Sequence, residues 1–152
     1  GHYLAMGMTR LTPLLKKLDV VIVNREEGAS LTRARYEDER AIFRRFDKVV
    51  AGIAVMTEGP KGVMVSDGQT LYRAGIYPNQ QAADRTGAGD AFGSGFVSVL
   101  ARGGTIKEAI RFGSANAASV VESVGAQAGI LTKSSFARAP RWKRLAIYEH
   151  KL

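Results

Sequence analysis

Cysteine is absent from the 152 residues, which excludes disulfide frameworks, thiolate metal centres and thiol nucleophiles, and fits an intracellular, cytoplasmic setting. Only His2 and His150 could offer imidazole, and they stand at opposite ends without ligand-like spacing, so no histidine metal site is expected. No apolar run reaches the roughly 18 residues of a membrane helix, and the first ten residues lack a basic start followed by an apolar stretch. Neither a membrane partner nor secretion is expected. Proline is scarce, 4 residues against 17 glycines, which excludes proline-rich and collagen-like chains and points to loops where backbone must approach something closely. With 45% hydrophobic and 24% charged residues, the composition is that of one globular domain over residues 1–152, large enough to enclose a core without a staple.

Acidic residues are also the minority, and the formal charge is +8. Such a surplus favours anionic partners, whether nucleotides, phosphorylated metabolites or nucleic acid. For nucleic acid no motif accompanies the charge. Much of the surplus lies in Lys133, Arg138, Arg141, Lys143, Arg144 and Lys151, opposed there only by Glu149. Residues of about 133–152 therefore read as a solvated basic tail.

Leu11 to Leu18 has helical apolar spacing, and Val20-Val21-Ile22-Val23 is a buried strand ending at polar Asn24. Glu26 to Phe46 reads as one or two amphipathic helices, and Val49 to Met56 as a second buried strand. Alternating helices and strands imply a layered α/β fold. Val63-Met64-Val65 and Thr70-Leu71-Tyr72 flank Ser66-Asp67-Gly68-Gln69, a hairpin turn. Phe92, Phe96 and Leu100 line one face of a helix that Gly103-Gly104 ends. Thr105 and Glu108 form a capping-box pattern for the next helix, whose Gly113-Ser114-Ala115 and Ala117-Ala118 permit close packing.

The segment Asp84-Arg85-Thr86-Gly87-Ala88-Gly89-Asp90 is the most informative. Small residues opening a helix expose consecutive backbone N–H groups at a positive dipole end, a place for a phosphate. Asp90 there is either a first-turn carboxylate that the dipole favours or a base beside an anion hole. A Walker A loop is not present, and the dinucleotide fingerprint fails because Phe92 stands at its third glycine position.

These residues resemble the second signature of the ribokinase/pfkB family of sugar and nucleoside kinases, matched by Asp84, Thr86, Gly87, Ala88, Gly89, Asp90 and Ser94-Gly95, with Arg85 as a departure. Asn24-x-x-Glu27, Thr57-x-Gly59 and Gly125-Ala126 follow the family's order. The resemblance runs from Asp19 to Leu131 and implies a three-layer α/β/α sandwich, ribokinase-like, of which this chain is the C-terminal half only.

It further implies transfer of a phosphoryl group from ATP, with Mg2+, to a hydroxyl of a sugar or nucleoside held mainly by an N-terminal half, and leaves room for a homo-oligomer. Asp90 would be the base, and the N–H groups of Gly87, Ala88 and Gly89 the anion hole. Asn24 and Glu27 would serve Mg2+, in part through water, although an N-x-x-E taken alone is a commonplace cap. Thr57, Gly59, Lys61 and Gly62 would meet ATP or ADP, with an ordinary turn as the competing reading, above all for Lys61. Asn116 would lie near the adenine. Asp84 and Thr86, with Gly125, would suit a monovalent cation such as K+. The rival reading is a nucleotide-binding remnant or regulatory module without catalysis.

Overall fold

The computed structural model describes residues 2–78, 86–123 and 129–152. Its elements run α1 (His2–Leu15), β1 (Val20–Asn24), α2 (Arg25–Thr32), α3 (Glu39–Phe46), β2 (Ile53–Thr57), a 3-10 turn (Gly59–Lys61), β3 (Val63–Ser66), β4 (Thr70–Ala74), α4 (Ala88–Leu100), α5 (Ile106–Val121), α6 (Lys133–Arg138), a second 3-10 turn (Pro140–Lys143) and β5 (Ile147–Lys151). The strands form one mixed sheet in the order β1-β2-β3-β4-β5. β1 and β2 are parallel, in a register that sets Val20 opposite Ile53 and Asn24 opposite Thr57. A parallel pair needs a long crossover, and α2 and α3 supply it. β3 returns antiparallel along β2, with Val63 opposite Thr57.

The second strand begins later than the apolar run Val49 to Met56 suggests. Val49 and Val50 donate their N–H groups back to the Phe46 carbonyl at 2.9 and 2.7 Å, extending the end of α3 as a turn. Gly52 then passes so near β1 that a Cβ would stand 2.1 Å from the Asp19 carbonyl oxygen. The hairpin forms where Asp67-Gly68 predicts it: the Asp67 carboxylate accepts from the N–H groups of Gln69 and Thr70 at 3.0 and 2.7 Å, and Gly68 takes φ +81°.

The chain divides into two compact units. One comprises Gly1–Gly59, Val63–Arg73 and Tyr148–Leu152, the other Pro60–Gly62 and Ala74–Ile147. In the first, Ile42, Phe43 and Phe46 of α3 are buried with Val21, Ala54, Met56 and Met64 of the sheet and with Leu11 and Leu15 of α1. That apolar layer fixes the strand ends where the cleft described below opens.

In the second unit α4 and α5 pack through small residues, as the sequence predicts. A Cβ on Gly95 would lie 3.1 Å from the Gly113 Cα, and one on Gly113 would lie 2.9 Å from the Phe92 carbonyl oxygen. The Thr105/Glu108 capping box opens α5.

The basic segment 133–152 departs from expectation. It is folded: Thr132 caps α6, Trp142 is 2% exposed, and its ring meets Tyr77 edge-on at 5.1 Å. Arg141 covers Trp142 at 3.8 Å and forks onto the Glu122 carboxylate at 3.1 and 2.7 Å. Tyr77 donates to the Trp142 carbonyl, and burial pushes its phenol up to about 12. β5 completes the sheet, with the Leu152 N–H bonded to the Gln69 carbonyl at 2.9 Å. Charge counting overlooked Trp142 and Leu145, the two apolar anchors of this segment, both buried.

Candidate functional site

Parallel strands end in a common direction, and in open α/β sheets ligands gather at the carboxyl ends. Beyond the ends of β1 and β2 lies a cleft of about 270 Å3 lined by Asn24, Arg25, Glu26, Tyr36, Thr57, Glu58 and Gly59. The register that pairs Asn24 with Thr57 carries the two segments following them into that cleft.

Arg25 organises its wall. The side chain is 7% exposed and that of Glu58 is 2% exposed, so each charge requires a partner. Arg25 Nη1 bonds the Glu58 carboxylate and, at 3.0 Å, Glu39 Oε1. Its Nε donates to the Tyr36 carbonyl at 2.9 Å, and its guanidinium lies 4.9 Å from the centre of the Tyr36 ring. Glu39 in turn pairs with Arg73 of β4.

Asn24 and Glu27 form a reciprocal capping box. The Asn24 Oδ1 accepts from the Glu27 N–H at 2.8 Å, and Glu27 Oε2 accepts from the Asn24 N–H at 2.9 Å. Asn24 is exposed, and Glu27 is half-buried. The commonplace cap is therefore present at this motif, with oxygen atoms that still hold free lone pairs. Thr57 and Gly59 line the cleft, and Gly59 opens the 3-10 turn with φ +55°. Lys61 is exposed at the end of that turn, and Gly62 follows with φ +97°.

In the second unit, Gly87 caps α4 with φ +80°, a backbone conformation that a side chain would strain. The Gly87 carbonyl accepts from the Ala91 N–H at 2.8 Å. The N–H groups of Ala88, Gly89 and Asp90 thus precede the first intrahelical bond and face outward as donors. Asp90 is exposed in that first turn, and Thr86 is exposed just before it. Asp84 and Gly125 lie outside the described residues.

Asn116, which the resemblance sets near adenine, has its carboxamide engaged by the protein itself. It is 2% exposed, its Nδ2 donates to the Ala91 carbonyl at 2.7 Å, and its Oδ1 accepts from the Leu131 N–H at 2.8 Å. The carboxamide is a strut between α4 and the segment before α6, with both ends engaged inside the unit.

The sequence profile of the pfkB family carbohydrate kinases matches residues 5–133. The chain belongs to the pfkB family. Ribokinase of Haemophilus influenzae is 38% identical over 125 residues, 79% of this chain and 40% of that protein. Cytidine kinase of Thermococcus kodakarensis is 32% identical over 116 residues, 76% of this chain and 41% of that protein. Among solved structures, Arabidopsis thaliana ribokinase complexed with ribose and ATP superposes with a TM-score of 0.77 at 26% identity, covering 87% of this chain and 43% of that one. The nucleoside kinase of Methanocaldococcus jannaschii, at 22% identity and a TM-score of 0.76, shares the fold over 95% of this chain and 46% of its own. The ribokinase-like α/β fold expected from the sequence is the one found. This pfkB chain spans about two-fifths of the length of those two curated relatives.

Sequence reasoning missed Arg25, Tyr36, Glu39 and Glu58. Arg25 and Glu58 occupy the unspecified places within Asn24-x-x-Glu27 and Thr57-x-Gly59. Opposite charges following two strands that pair in parallel were a readable signal, once the register placed those strand ends side by side.

Proposed function

We propose that this pfkB chain binds the nucleotide in a kinase that transfers the γ-phosphoryl group of ATP to a hydroxyl of a sugar or nucleoside. The observation that carries the reading is the first turn of α4, where uncapped backbone N–H groups flank exposed Asp90. Phosphoryl transfer asks chiefly for positioning and charge stabilisation, so donors fixed in the backbone serve it without reorganising. Asp90 accepts the proton of the attacking hydroxyl, and the N–H groups of Gly87, Ala88 and Gly89 hold the charge of the transferring group. Because the proton can leave late, a weak base suffices.

Asn24, Thr57 and Gly59 meet the nucleotide phosphates from the cleft, with Lys61 and Gly62 in the turn beyond. The oxygen donors of Asn24 and Glu27 fit Mg2+, which keeps several waters and takes one or two carboxylates beside substrate phosphates. Among the described residues, no group of three or more acidic, histidine or cysteine side chains forms a metal cage. Bound there, Mg2+ would neutralise phosphate charge. Thr86 and Asp84 are the candidates for a monovalent cation.

Calorimetric titration of the chain with MgADP tests the reading. Saturable binding that weakens when Asn24 is replaced by Ala is expected. No binding at millimolar MgADP would overturn it.

A further inference from the structure

We propose that Arg25 is a positioning residue of the cleft, fastening the Thr57–Gly59 loop and the 33–38 connection into one wall against which the nucleotide is held. The inference rests on the nucleotide reading above. A guanidinium offers donors in a rigid planar fork, and here the fork is spent wholly on the walls of the cleft. Nη1 bonds Glu58 and Glu39, Nε the Tyr36 carbonyl, and Nη2 the Glu37 carbonyl at 3.4 Å. Tyr36 and Glu37 lie in an irregular connection between α2 and α3, so those carbonyls gain from Arg25 what a ladder or helix would otherwise provide. Glu58, nearly fully buried beside exposed Gly59, is anchored from the opposite side. Lysine could supply the charge but not the fork. Arg25 itself is assigned no contact with the phosphates. Its effect on them passes through the Glu58 backbone neighbours, Thr57 and Gly59.

The test compares Arg25→Met, Arg25→Lys and the double variant Arg25→Met/Glu58→Gln with a core control, Leu15→Ala, in the full chain. Leu15 is buried in α1 and lies outside the cleft. The double variant removes the Glu58 charge that the Met substitution leaves unpaired, and so provides a folded carrier of the same defect if the single variant unfolds. MgADP affinity is measured by calorimetry, and amide exchange is followed at residues 36–37 and 57–59 against Val21 to Val23 of β1. Expected are affinity losses of about tenfold or more for the Met variant and the double variant, with Arg25→Lys between them and wild type. Exchange at 36–37 and 57–59 should quicken while β1 stays protected. Leu15→Ala should lower the unfolding midpoint yet keep MgADP affinity within about twofold. Wild-type affinity in both Met-bearing variants, or an equal loss in Leu15→Ala, would overturn the role of Arg25 alone. A wild-type chain that binds no MgADP would overturn the nucleotide reading, and this proposal with it.

Discussion

At the ends of β1 and β2 the cleft is walled by side chains that hold one another, whereas the first turn of α4 offers backbone donors and one exposed carboxylate. The cleft depends on burial: the Glu58 carboxylate is tolerated there because Arg25 pairs with it, while Arg25 is also held by Glu39. The α4 turn depends on vacancy, since Gly87 caps without a side chain and no side-chain cap takes up its donors. A single substitution should therefore act differently in the two places. In the cleft it should disturb neighbours through the network; in the turn it should change the chemistry and little else.

The sharpest break between them is Asp90→Asn. This exchange is nearly isosteric, sits on an exposed position and leaves every backbone donor in place. In the whole kinase proposed above, phosphorylation of the sugar or nucleoside acceptor by ATP should fall by roughly 100- to 10,000-fold, the range for loss of a general base, while MgADP affinity stays close to wild type. An unchanged turnover rate would remove Asp90 from the reaction, and a matching loss of MgADP binding would make it a binding residue instead.

Asn116→Leu should show how the α4 turn is braced. Its amide ties the Ala91 carbonyl, in the first turn, to the Leu131 N–H, and leucine keeps the bulk while leaving the half-buried Leu131 donor without its acceptor. The cost should be about 1–2 kcal/mol of unfolding free energy by denaturant titration. A change below a few tenths of that would mean that water or a neighbour satisfies the donor, and the strut would lose its significance.

How much of this was legible in the sequence follows from the same contrast. The glycine turn is legible because the role we propose for it lies in the backbone, which small residues at fixed offsets expose. Asn24/Glu27 was visible as a motif, and its reciprocal cap is local. The Arg25 network was hidden because it requires the register of β1 against β2 and the burial of Glu58, neither of which adjacent residues encode. Trp142 was passed over for a related reason: six basic residues nearby suggested solvent, yet the aromatic ring decides where the segment goes, and its burial against Tyr77 joins residues distant in sequence.

Capping boxes offer the last and smallest way to separate a binding region from a structural one, for the same device occurs at Asn24/Glu27 beside the cleft and at Thr105/Glu108 at the start of α5. At the second, the Glu108 carboxylate accepts from the Thr105 N–H at 2.7 Å and the Thr105 hydroxyl at 2.8 Å, and these bonds hold its pKa below the usual 4.5. A carboxyl group lowered in the folded state binds protons more readily when unfolded, so its stabilisation is full above 4.5 and disappears as pH falls through the folded value. Wild type should thus exceed Glu108→Gln in denaturant midpoint near neutral pH, and the gap should close on acidification. Taking the difference cancels groups common to both chains, including Asp47, whose carboxyl burial pushes up while the Ser66 hydroxyl pulls it back. Glu108→Gln should leave MgADP affinity untouched, whereas Glu27→Gln should weaken it. Equal behaviour of the two variants toward MgADP would show that the cap beside the cleft is only a cap.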